Sequence, residues 1–467
     1  MTASIQFHPD QHIHFIGIGG TGISAIARIL ALRGYRVSGS DLNTNAQTDE
    51  LSQLGATIYQ GHHADYVHGA DLLIRSSAIK DHHPEVISAI EQDIPVYKRS
   101  DVMSSIMEGN SVVAIAGTHG KTTTTSMTTH VLIETGQKPS YIVGGAMANT
   151  GHNADVGQGR TFVIEADEYD NMFHGLKPDI AVITSLEFDH PDFFTTPADL
   201  IQSFTKFVSQ LPDDGLLICC IDDDLAQPFA QKRQDAGLPV ITYGFNPDAD
   251  WCVSDVRYEN NSTLYNILVD KLGTTTVRLS TPGRHNILNS IVALIVAHHE
   301  NVSLQDAIEA LVMFKGTGRR FDIRAEIDDI IIIDDYAHHP TAIKTTLDAC
   351  RQRFPEHELW AIWQPHTFSR TRSLWADYLG AFTEAQHVIV TEIYASREKA
   401  DDNPNITTSA FLADLNHPDK YFAETFASAV DILKNNVKSP AIILIMSAGD
   451  APAIGIEYQK ILEAQSS

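Results

Sequence analysis

Residues 112–125 read VVAIAGTHGKTTTT, and this stretch decides the fold of the middle of the chain. The apolar run 111–116 predicts a buried strand, and the glycine-rich segment 117–120 predicts a loop. The residues that follow, 121–135, predict a helix. A strand, a glycine-rich loop and a helix in this order predict a parallel α/β sheet with an anion site at the start of the helix.

The loop carries the residue types that phosphate binding needs. Glycines let backbone amides approach phosphate oxygens, Lys121 can neutralise the β- and γ-phosphates, and the Thr122 hydroxyl can ligate Mg²⁺. The pattern departs from the usual GxxxxGK[ST], because Ile115 stands at the first glycine position and the first glycine is Gly117. The alternative is a surface turn with a chance GKT, and the register of strand, loop and helix argues against it.

Two further strand ends carry candidate metal ligands. The predicted strand 161–165 ends in Glu165, the first residue of EADEYD, and strand 180–185 leads into SLEFDHPD with Asp189 and His190. A carboxylate at the carboxyl end of a strand beside the phosphate loop is well placed for Mg²⁺. A solvated loop histidine is the alternative for His190, and the neighbouring loop favours a ligand of a second metal ion.

A second glycine-rich turn, IGIGGTG (16–22), follows a predicted strand near the N-terminus. Gly17, Gly19 and Gly22 form GxGxxG, and Asp41 ends the next predicted strand at the spacing of a ribose-binding carboxylate. Both a nicotinamide dinucleotide and a nucleoside-diphosphate sugar present a diphosphate and a ribose, so the motif alone leaves the ligand open. A purely structural tight turn is a further alternative.

The last third of the chain has two strand ends that carry Asp, His and Arg. The predicted strand 330–333 runs into DDYAHHP (334–340), and strand 358–363 runs into QPHTFSRTR (364–372). Ligands bind beyond the carboxyl ends of parallel strands, so these segments predict a binding site, with surface ion pairs as the alternative. Arg320, in GTGRRF, can reach a transferring phosphoryl group.

The segment PGRHNILN (282–289) begins a predicted helix. Asn286 and Asn289 share one helix face, where their amides can read the edge of a base. A simple helix N-cap is the alternative.

Short apolar runs alternate with amphipathic stretches along most of the chain, which is typical of parallel sheets with crossover helices. At 467 residues, the chain predicts three α/β domains, which we place at 1–109, 110–313 and 314–467. We expect the first and third to be Rossmann-like and the second to be P-loop ATPase-like. Between 216 and 281 the strands become short, and we expect them to pair antiparallel in a small sub-sheet.

The composition excludes several classes of protein. With 33 basic and 59 acidic residues, the net charge is −26, which repels nucleic acid and anionic membranes. The sequence has neither an apolar run of about 18–20 residues nor a basic region followed by an apolar one at its start. The four cysteines lack metal-binding spacing and are typical of a reducing compartment. We therefore expect a cytoplasmic enzyme that binds neither nucleic acid nor membrane.

Together these motifs resemble the Mur ligase family, the ATP-dependent amide-bond ligases of bacterial cell-wall precursor assembly. The resemblance covers essentially the whole chain. It rests on GTHGKT (117–122), EADEYD (165–170), DH (189–190), GRHNILN (283–289), GRRF (318–321) and DDYAHHP (334–340). It implies a UDP-binding first domain, an ATP-binding second domain and an amino-acid-binding third domain.

The resemblance also implies roles for individual residues. The catalytic set is Lys121, Glu165, His190, Arg320 and His338. ATP is expected at Gly117, Thr118, Gly120, Lys121, Thr122, Thr123, Asn286, Asn289, Arg320 and Asp335. UDP is expected at Gly17, Ile18, Gly19, Gly20, Thr21, Gly22, Asp41, Ser76 and Ser77. The amino acid is expected at Tyr336, His338, His366 and Arg370, and Mg²⁺, as two ions, at Thr122, Glu165 and His190.

The implied reaction joins L-alanine to the lactyl carboxylate of UDP-N-acetylmuramate through an acyl phosphate. It belongs to peptidoglycan synthesis, and so to cell-wall biogenesis, cell shape and cell division. The stretches WQPHTFSRTR (363–372), EIYASREK (392–399) and MSAGD (446–450) favour L-alanine. The alternative within the family attaches L-Ala-γ-D-Glu-meso-diaminopimelate to the same UDP-sugar in murein recycling. We expect a monomer or a weak homodimer.

Two alternatives lie outside the family. A nicotinamide oxidoreductase accounts for GIGGTG and Asp41 but leaves GTHGKT and EADEYD without a role. A nucleotide-binding switch without ligase turnover accounts for the phosphate loop. It leaves the Arg and His residues of the last third unexplained.

Overall fold

A computed structural model describes residues 5–259, 262–269 and 273–466. It contains three β-sheets that follow one another along the chain, each flanked by helices. The strands of the three sheets lie within 12–98, 111–279 and 322–446, so each sheet falls inside one of the three predicted segments. The three-domain α/β architecture expected from the sequence is thus the one observed.

The N-terminal sheet is parallel, with strand order β3-β2-β1-β4-β5. Its elements are β1 (His12–Ile16), α1 (Thr21–Leu32), β2 (Arg36–Asp41), α2 (Ala46–Gln53), β3 (Thr57–Gln60), β4 (Leu72–Arg75), α3 (Pro84–Glu91), β5 (Val96–Lys98) and α4 (Arg99–Ile106). Local signals set several ends: Asn45 and Thr48 form a capping box at the start of α2. The order reverses between β1 and β4, which opens a crevice above the glycine-rich turn.

The central sheet has ten strands in the order β15-β14-β13-β12-β11-β10-β6-β9-β7-β8. Its first elements are β6 (Ser111–Ala116), α5 (Lys121–Glu134), β7 (Ser140–Ile142), β8 (Ala154–Asp155), β9 (Thr161–Glu165), β10 (Ile180–Ile183) and α6 (Pro197–Val208). They are followed by β11 (Leu216–Cys220), α7 (Gln227–Asp235), β12 (Val240–Gly244), β13 (Trp251–Glu259), β14 (Ser262–Val269), β15 (Gly273–Leu279), α8 (Arg284–His299) and α9 (Leu304–Val312).

The prediction that all strands between 216 and 281 pair antiparallel was wrong for two of them. β11 pairs parallel with β10 and β12 pairs parallel with β11, because the helices α6 and α7 cross over between the successive strands. The antiparallel pairs are β13 with β14 and β14 with β15, and β13 joins them to the same sheet by pairing parallel with β12. The sequence pattern misled because α7 (Gln227–Asp235) is polar and carries no apolar stripe that marks a crossover helix.

The C-terminal sheet has the order β16-β17-β21-β18-β19-β20 and is parallel except for the edge strand β16. Its first elements are β16 (Asp322–Ile327), β17 (Ile330–Asp335), α10 (Pro340–Arg353), β18 (Glu358–Trp363), α11 (Phe368–Ser373) and α12 (Trp375–Leu379). The remainder are β19 (His387–Thr391), α13 (Thr408–Asp414), β20 (Lys420–Ala423), α14 (Phe426–Asn436), β21 (Ala441–Met446) and α15 (Pro452–Ser466).

The first and second parts of the chain pack through a continuous apolar core. Residues of α1 and α4 lie in one buried cluster with residues of β6, β9 and α6. The backbones also approach closely: a Cβ on Gly175 would lie 2.0 Å from Ser100 O, and Arg28 Nε donates to Ala154 O over 2.8 Å. Across the described ranges, none of the helices has the length and apolar character needed to span a membrane.

Candidate active site

A cavity of about 1020 Å³ lies where the three parts of the chain meet. Gly22 and Arg99 line it from the first part, Lys121 from the second, and His338 and Arg370 from the third. The loop after β6 and the segments after β17 and β18 therefore open into one space. This position, beyond the carboxyl ends of parallel strands, is where α/β proteins bind ligands.

The phosphate loop needs glycine at two positions. Gly117 has a φ of 137°, and a Cβ there would lie 2.0 Å from Thr184 Oγ1. Gly120 has a φ of 81°, and a Cβ there would lie 2.5 Å from Asn289 Oδ1. The loop is thus packed tightly at the N-terminus of α5, where free amides and the helix dipole favour an anion.

Lys121, at the start of α5, is held by a carboxylate that the sequence analysis did not assign. Its Nζ donates to Gly117 O over 2.6 Å and to Thr118 O over 3.2 Å, and it lies 2.9 Å from the Glu168 carboxylate. Burial alone would lower the pKa of Lys121, but Glu168 and then Asp167 raise it, so the ammonium stays charged. Burial raises the pKa of Glu168 despite the nearby Lys121 charge.

Thr122 and Glu165 form the oxygen pair expected for a metal. Thr122 Oγ1 donates to Glu165 Oε1 over 3.0 Å, and Gly144 N donates to Glu165 Oε2 over 2.6 Å. Arg320 donates to Thr122 Oγ1 over 3.2 Å. A hydroxyl and a carboxylate side by side at a phosphate loop are the hard oxygen ligands that Mg²⁺ prefers, so this pair fits the ion.

His190 is joined to the phosphate loop through Glu168. Its Nε2 lies 3.7 Å from Glu168 Oε1, and its Nδ1 lies 3.3 Å from an Arg370 guanidinium nitrogen. The backbone of His190 has a φ of 56°, a left-handed conformation that is uncommon for residues other than glycine. Glu168 thus links His190 to Lys121, and His190 lines the same cavity as Thr122 and Glu165.

Arg370 and two histidines form a buried polar group on the C-terminal side of the cavity. Arg370 donates to Asp189 Oδ1 over 2.8 Å and to His366 Nδ1 over 2.9 Å, and the His338 and His366 rings lie 5.8 Å apart. Burial, together with the Arg370 charge, lowers the pKa of His366 to about 4 and holds the pKa of His338 well below its usual value. Both imidazoles are therefore neutral at physiological pH, and His338, whose Nδ1 donates to Tyr336 O over 2.8 Å, keeps Nε2 as an acceptor.

Tyr336 and Asp335 hold the segment after β17 in place. The Arg320 guanidinium lies 4.9 Å from the centre of the Tyr336 ring, a cation–π contact. The two Asp335 oxygens accept from Phe321 N and Ala337 N, each over 2.7 Å. Burial raises the pKa of Asp335. Its remaining lone pairs are the ones that a ribose hydroxyl could use.

The two asparagines assigned to adenine line the cavity and are also bound to protein groups. Asn289 Oδ1 accepts from Thr124 Oγ1 over 3.0 Å, and Asn289 Nδ2 donates to Asn286 Oδ1 over 3.1 Å. Asn286 Nδ2 donates to Pro282 O over 2.6 Å. These bonds fix α8 against α5, so the pair has a structural role whether or not it also contacts a base.

The residues assigned to UDP gather at the first glycine-rich turn. Gly19 N donates to Asp41 Oδ2 over 2.9 Å, and a Cβ on Gly17 would lie 3.1 Å from Ser76 Cβ. The other assigned residues lie in the same turn or directly after β4: Ile18, Gly20, Thr21, Gly22 and Ser77. Of the turn residues, Thr21 and Gly22 reach the main cavity.

Arg99 is a cation of the site that the sequence analysis missed. A Cβ on Gly22 would lie 2.3 Å from an Arg99 guanidinium nitrogen, and Arg99 donates to Asp167 Oδ2 over 2.9 Å. Burial would raise the pKa of Asp167, but Arg99 and then Lys121 lower it. Arg99 thus lies between the first glycine-rich turn and the phosphate loop. Arg99 directly follows β5, and the sequence around it contains no recognisable motif.

Other missed residues bridge the central and C-terminal parts. Glu187 accepts from His119 Nε2 over 2.7 Å and from Thr341 Oγ1 over 2.8 Å. Arg397 donates to the Tyr169 hydroxyl over 2.7 Å. Glu168, Tyr169 and Glu187 lie inside the motifs EADEYD and SLEFDHPD, so attention to every polar residue of those motifs would have found them.

Three family models match the chain in succession. "Mur ligase family, catalytic domain" matches residues 12–111, "Mur ligase middle domain" matches 115–297, and "Mur ligase, glutamate ligase domain" matches 319–449.

Known proteins similar to the chain carry related names. The UDP-N-acetylmuramate–L-alanine ligase of Desulfatibacillum aliphaticivorans is 37% identical over 457 residues, which cover 97% of this chain and 99% of that protein. The crystal structure of a UDP-N-acetylmuramate-alanine ligase from Thermotoga maritima has a TM-score of 0.82 and 26% identity, covering 98% of this chain and 100% of that one. A murein peptide ligase from Psychrobacter arcticus has a TM-score of 0.74 and 27% identity, covering 97% and 98%.

Proposed function

The chain belongs to the Mur ligase family, and from that premise we propose that it joins L-alanine to the lactyl carboxylate of UDP-N-acetylmuramate, with cleavage of ATP to ADP and phosphate. The observation that carries the proposal is the single cavity. It holds the phosphate loop with Lys121 and Thr122 on one side and Arg370, His338 and His366 on the other. An ATP-dependent ligase must bring the phosphoryl donor and the amine nucleophile together in one cavity.

The chemistry has two steps. A carboxylate oxygen of the UDP-sugar attacks the γ-phosphorus of ATP, the bond to the β,γ-bridging oxygen breaks, and ADP leaves. The alanine amine then attacks the acyl carbon, and a tetrahedral intermediate collapses with release of phosphate and loss of one proton from nitrogen. The first step brings two anions together, and the second produces an oxyanion, so cations and a proton acceptor are required.

The residues around the phosphate loop can meet the needs of the first step. Lys121 would leave Glu168 for the β- and γ-phosphates, and Arg320, 3.2 Å from Thr122, would reach the transferring phosphoryl group. Thr122, Glu165 and His190 would hold Mg²⁺, which supplies charge neutralisation of the phosphates when bound. We assign two such ions to the reaction.

The C-terminal group can meet the needs of the second step. Arg370 would bind the alanine carboxylate, since a guanidinium pairs with a carboxylate in a planar fork. Because His338 is neutral and its Nδ1 donates to Tyr336 O over 2.8 Å, its Nε2 would be free to take the proton that the attacking amine must lose. Tyr336 lies beside His338, with their rings 5.3 Å apart, and closes this end of the site.

The remaining assigned contacts concern the two nucleotides. The turn at Gly17–Gly22, with Asp41, Ser76 and Ser77, would hold the UDP moiety, and Arg99 would extend this set toward the phosphate loop. The phosphate loop with Thr118 and Thr123 would hold the ATP phosphates. Asn286, Asn289 and Asp335 would contact adenosine through groups their protein hydrogen bonds leave free.

Alanine is favoured over a peptide by two observations. Relatives that align over nearly the whole chain at 35–38% identity carry the name of the L-alanine ligase. The alanine ligase structure also superimposes better than the murein peptide ligase structure, with TM-scores of 0.82 and 0.74.

Phosphate release from the purified protein tests the proposal. The assay contains Mg-ATP and UDP-N-acetylmuramate, with L-alanine in one reaction and L-Ala-γ-D-Glu-meso-diaminopimelate in the other. Release with L-alanine alone is the expected result. Release with the tripeptide alone would assign the protein to murein recycling, and a change in nicotinamide absorbance instead of phosphate release would contradict the ligase reaction altogether.

We also propose that the protein works in the cytoplasm as a monomer or weak homodimer. The cysteines Cys219, Cys220, Cys252 and Cys350 are all free, which suits a reducing compartment. Light scattering over a range of protein concentrations measures the mass, and a stable assembly larger than a dimer would contradict the proposal.

A further inference from the structure

The face of the N-terminal sheet beneath α3 carries a polar cluster that the proposed reaction does not use. The apolar core on this face is small: Ile16, Val67, Leu73, Val86 and Ala89. Beside it, His14, Ser40 and His62 contact one carboxylate, and the His83 ring packs against that of His62. The carboxylate belongs to Glu85, in the first turn of α3.

Glu85 is fully buried, at 0% exposure. The distances to Glu85 oxygens are 2.9 Å from His14 Nε2, 2.8 Å from Ser40 Oγ and 2.9 Å from His62 Nδ1. In the described part of the chain, the ion pairs of Glu85 involve histidines only, with no lysine or arginine.

A buried carboxylate without a permanent cation is costly unless a proton or a metal ion balances its charge. His62 and His83 are placed to bind such a metal ion next to Glu85. Their rings lie 4.5 Å apart and nearly perpendicular, and one ligand atom from each lies within 4.8 Å of the other and of a Glu85 oxygen.

We propose that His62, His83 and Glu85 bind a divalent transition-metal ion, with Zn²⁺ as the best match. Two imidazoles and one carboxylate are a common zinc donor set, with water at the fourth position. Zinc ligands lie about 2.0–2.2 Å from the ion, so the three donors need only a small contraction to reach it. The site is separate from the Thr122–Glu165 pair, which offers the oxygen ligands that suit Mg²⁺.

The ion would connect three segments of the first domain. His62 follows β3, whereas His83 caps α3 through a weak contact of 3.4 Å from Glu85 N to its Nδ1. The Ser40 hydroxyl is bound to Glu85. The Ser40 carbonyl accepts hydrogen bonds from Gly17 N over 2.8 Å and from Ile18 N over 3.1 Å. An ion at Glu85 would therefore stabilise the fold next to the glycine-rich turn without contacting a substrate.

Metal titration of the chelator-treated full-length protein tests the site. Zn²⁺ is added in the presence of excess Mg²⁺, and thermal unfolding is followed; Co²⁺ is added separately, and its visible absorption spectrum reports the ligand geometry. The wild type is expected to gain roughly 3 °C or more in Tm at saturating Zn²⁺. It is also expected to give a Co²⁺ spectrum of low coordination number.

Two variants of the site and one control decide the result. His83→Asn keeps a good helix cap and removes one ligand, and His62→Asn removes another. Both are expected to fold with wild-type circular dichroism and to lose the Zn²⁺-dependent rise in Tm and the Co²⁺ bands. His63→Asn, which changes an exposed neighbouring histidine, is expected to keep both. No rise in the wild type, or an equal rise in His83→Asn, would overturn the proposal, since any metal would then bind elsewhere.

Discussion

Arg370 Nε donates to Asp189 Oδ1 over 2.8 Å across the boundary between the central and C-terminal parts of the chain, and both side chains are buried. Burial would raise the pKa of Asp189, but the Arg370 charge holds it well below its usual range, so the pair is ionic at any physiological pH. The bond aims the rest of the guanidinium at His366 and His190. A residue of the phosphate-binding side thus orients the candidate amino-acid-binding arginine.

Replacement of the carboxylate should therefore impair use of the amino acid. We expect Asp189→Asn to raise the KM for L-alanine and to lower kcat/KM by about 10²-fold, because the Arg370 guanidinium loses the charged partner that orients it, and a misplacement of about 1 Å can have an effect of this size. The KM for ATP should change much less. Steady-state kinetics with each substrate varied measures the split. Asp255→Asn, at an exposed position, is the control, and an equal rise in both KM values would contradict the orienting role.

Lys121 is expected to be indispensable for phosphoryl transfer. Lys121→Met removes the cation from the phosphate loop, and the loss of ADP formation should reach 10²–10³-fold or more, as for other groups that stabilise transition-state charge. Lys121→Arg keeps the charge but not the compact ammonium, and it should recover only a small part of the rate. ADP production with both acceptors present measures this. Near-wild-type turnover by Lys121→Met would contradict the assignment of this loop to phosphate binding.

Much of the fold could be predicted because its signals are local. The strand, loop and helix at 111–135 and the strands at 161–165 and 358–363 have apolar runs that end in glycine or polar residues, and the structure has elements there. The helix α7 is polar and has no such signal, so the parallel direction of β12 could not be predicted. Edge strand β16 was missed because charged residues interrupt it.

Site residues at the ends of strands could be predicted for the same reason, whereas their partners could not. Lys121, Glu165 and Arg370 belong to motifs with a chemical rationale. Their pairing with Glu168, Gly144 and Asp189 depends on how distant segments pack, and one sequence does not encode that as a pattern. Arg99 is the clearest example, since its contact with Asp167 joins residues far apart in the chain.

A polar contact between Tyr169 and Arg397 should help to keep the two sides of the cavity together. The Tyr169 hydroxyl accepts from Arg397 over 2.7 Å and donates to Asp192 over 3.0 Å, and its ring lies 5.1 Å from that of His190. Burial and the Asp192 charge raise the pKa of Tyr169 to about 12, so the hydroxyl keeps its proton.

We expect Tyr169→Phe and Arg397→Ala each to lower kcat/KM for L-alanine a few-fold. The double variant should be no worse than either, because both changes remove one interaction, and the coupling should be about 0.5–1 kcal/mol. The double-mutant cycle measures it. Arg372→Ala, which removes an exposed arginine bound to Asn403, is the control. Additive losses would show that the two residues act independently.

The buried neutral histidines should make stability fall as the pH drops below the ordinary histidine pKa of about 6.5. In the folded protein, burial and Arg370 hold the pKa of His366 at about 4, so between these values only the unfolded chain takes up the proton. Such a group weakens folding as the pH falls, with a slope of at most about 1.4 kcal/mol per pH unit. Asp189 adds no slope there, because its lowered pKa leaves it ionised in the folded protein and it is ionised when unfolded as well.

We therefore expect His366→Asn to lose less stability than the wild type between pH 6.5 and 5. Asparagine can still accept from Arg370 but cannot titrate, so the change removes the proton uptake and keeps the hydrogen bond. Urea unfolding at half-unit pH intervals gives the free energy of unfolding for both proteins. His63→Asn, at an exposed ring, should follow the wild-type slope. Parallel curves for His366→Asn and the wild type would mean that His366 takes up its proton equally in the folded protein, and its Nδ1 could then not be the acceptor of the Arg370 hydrogen bond.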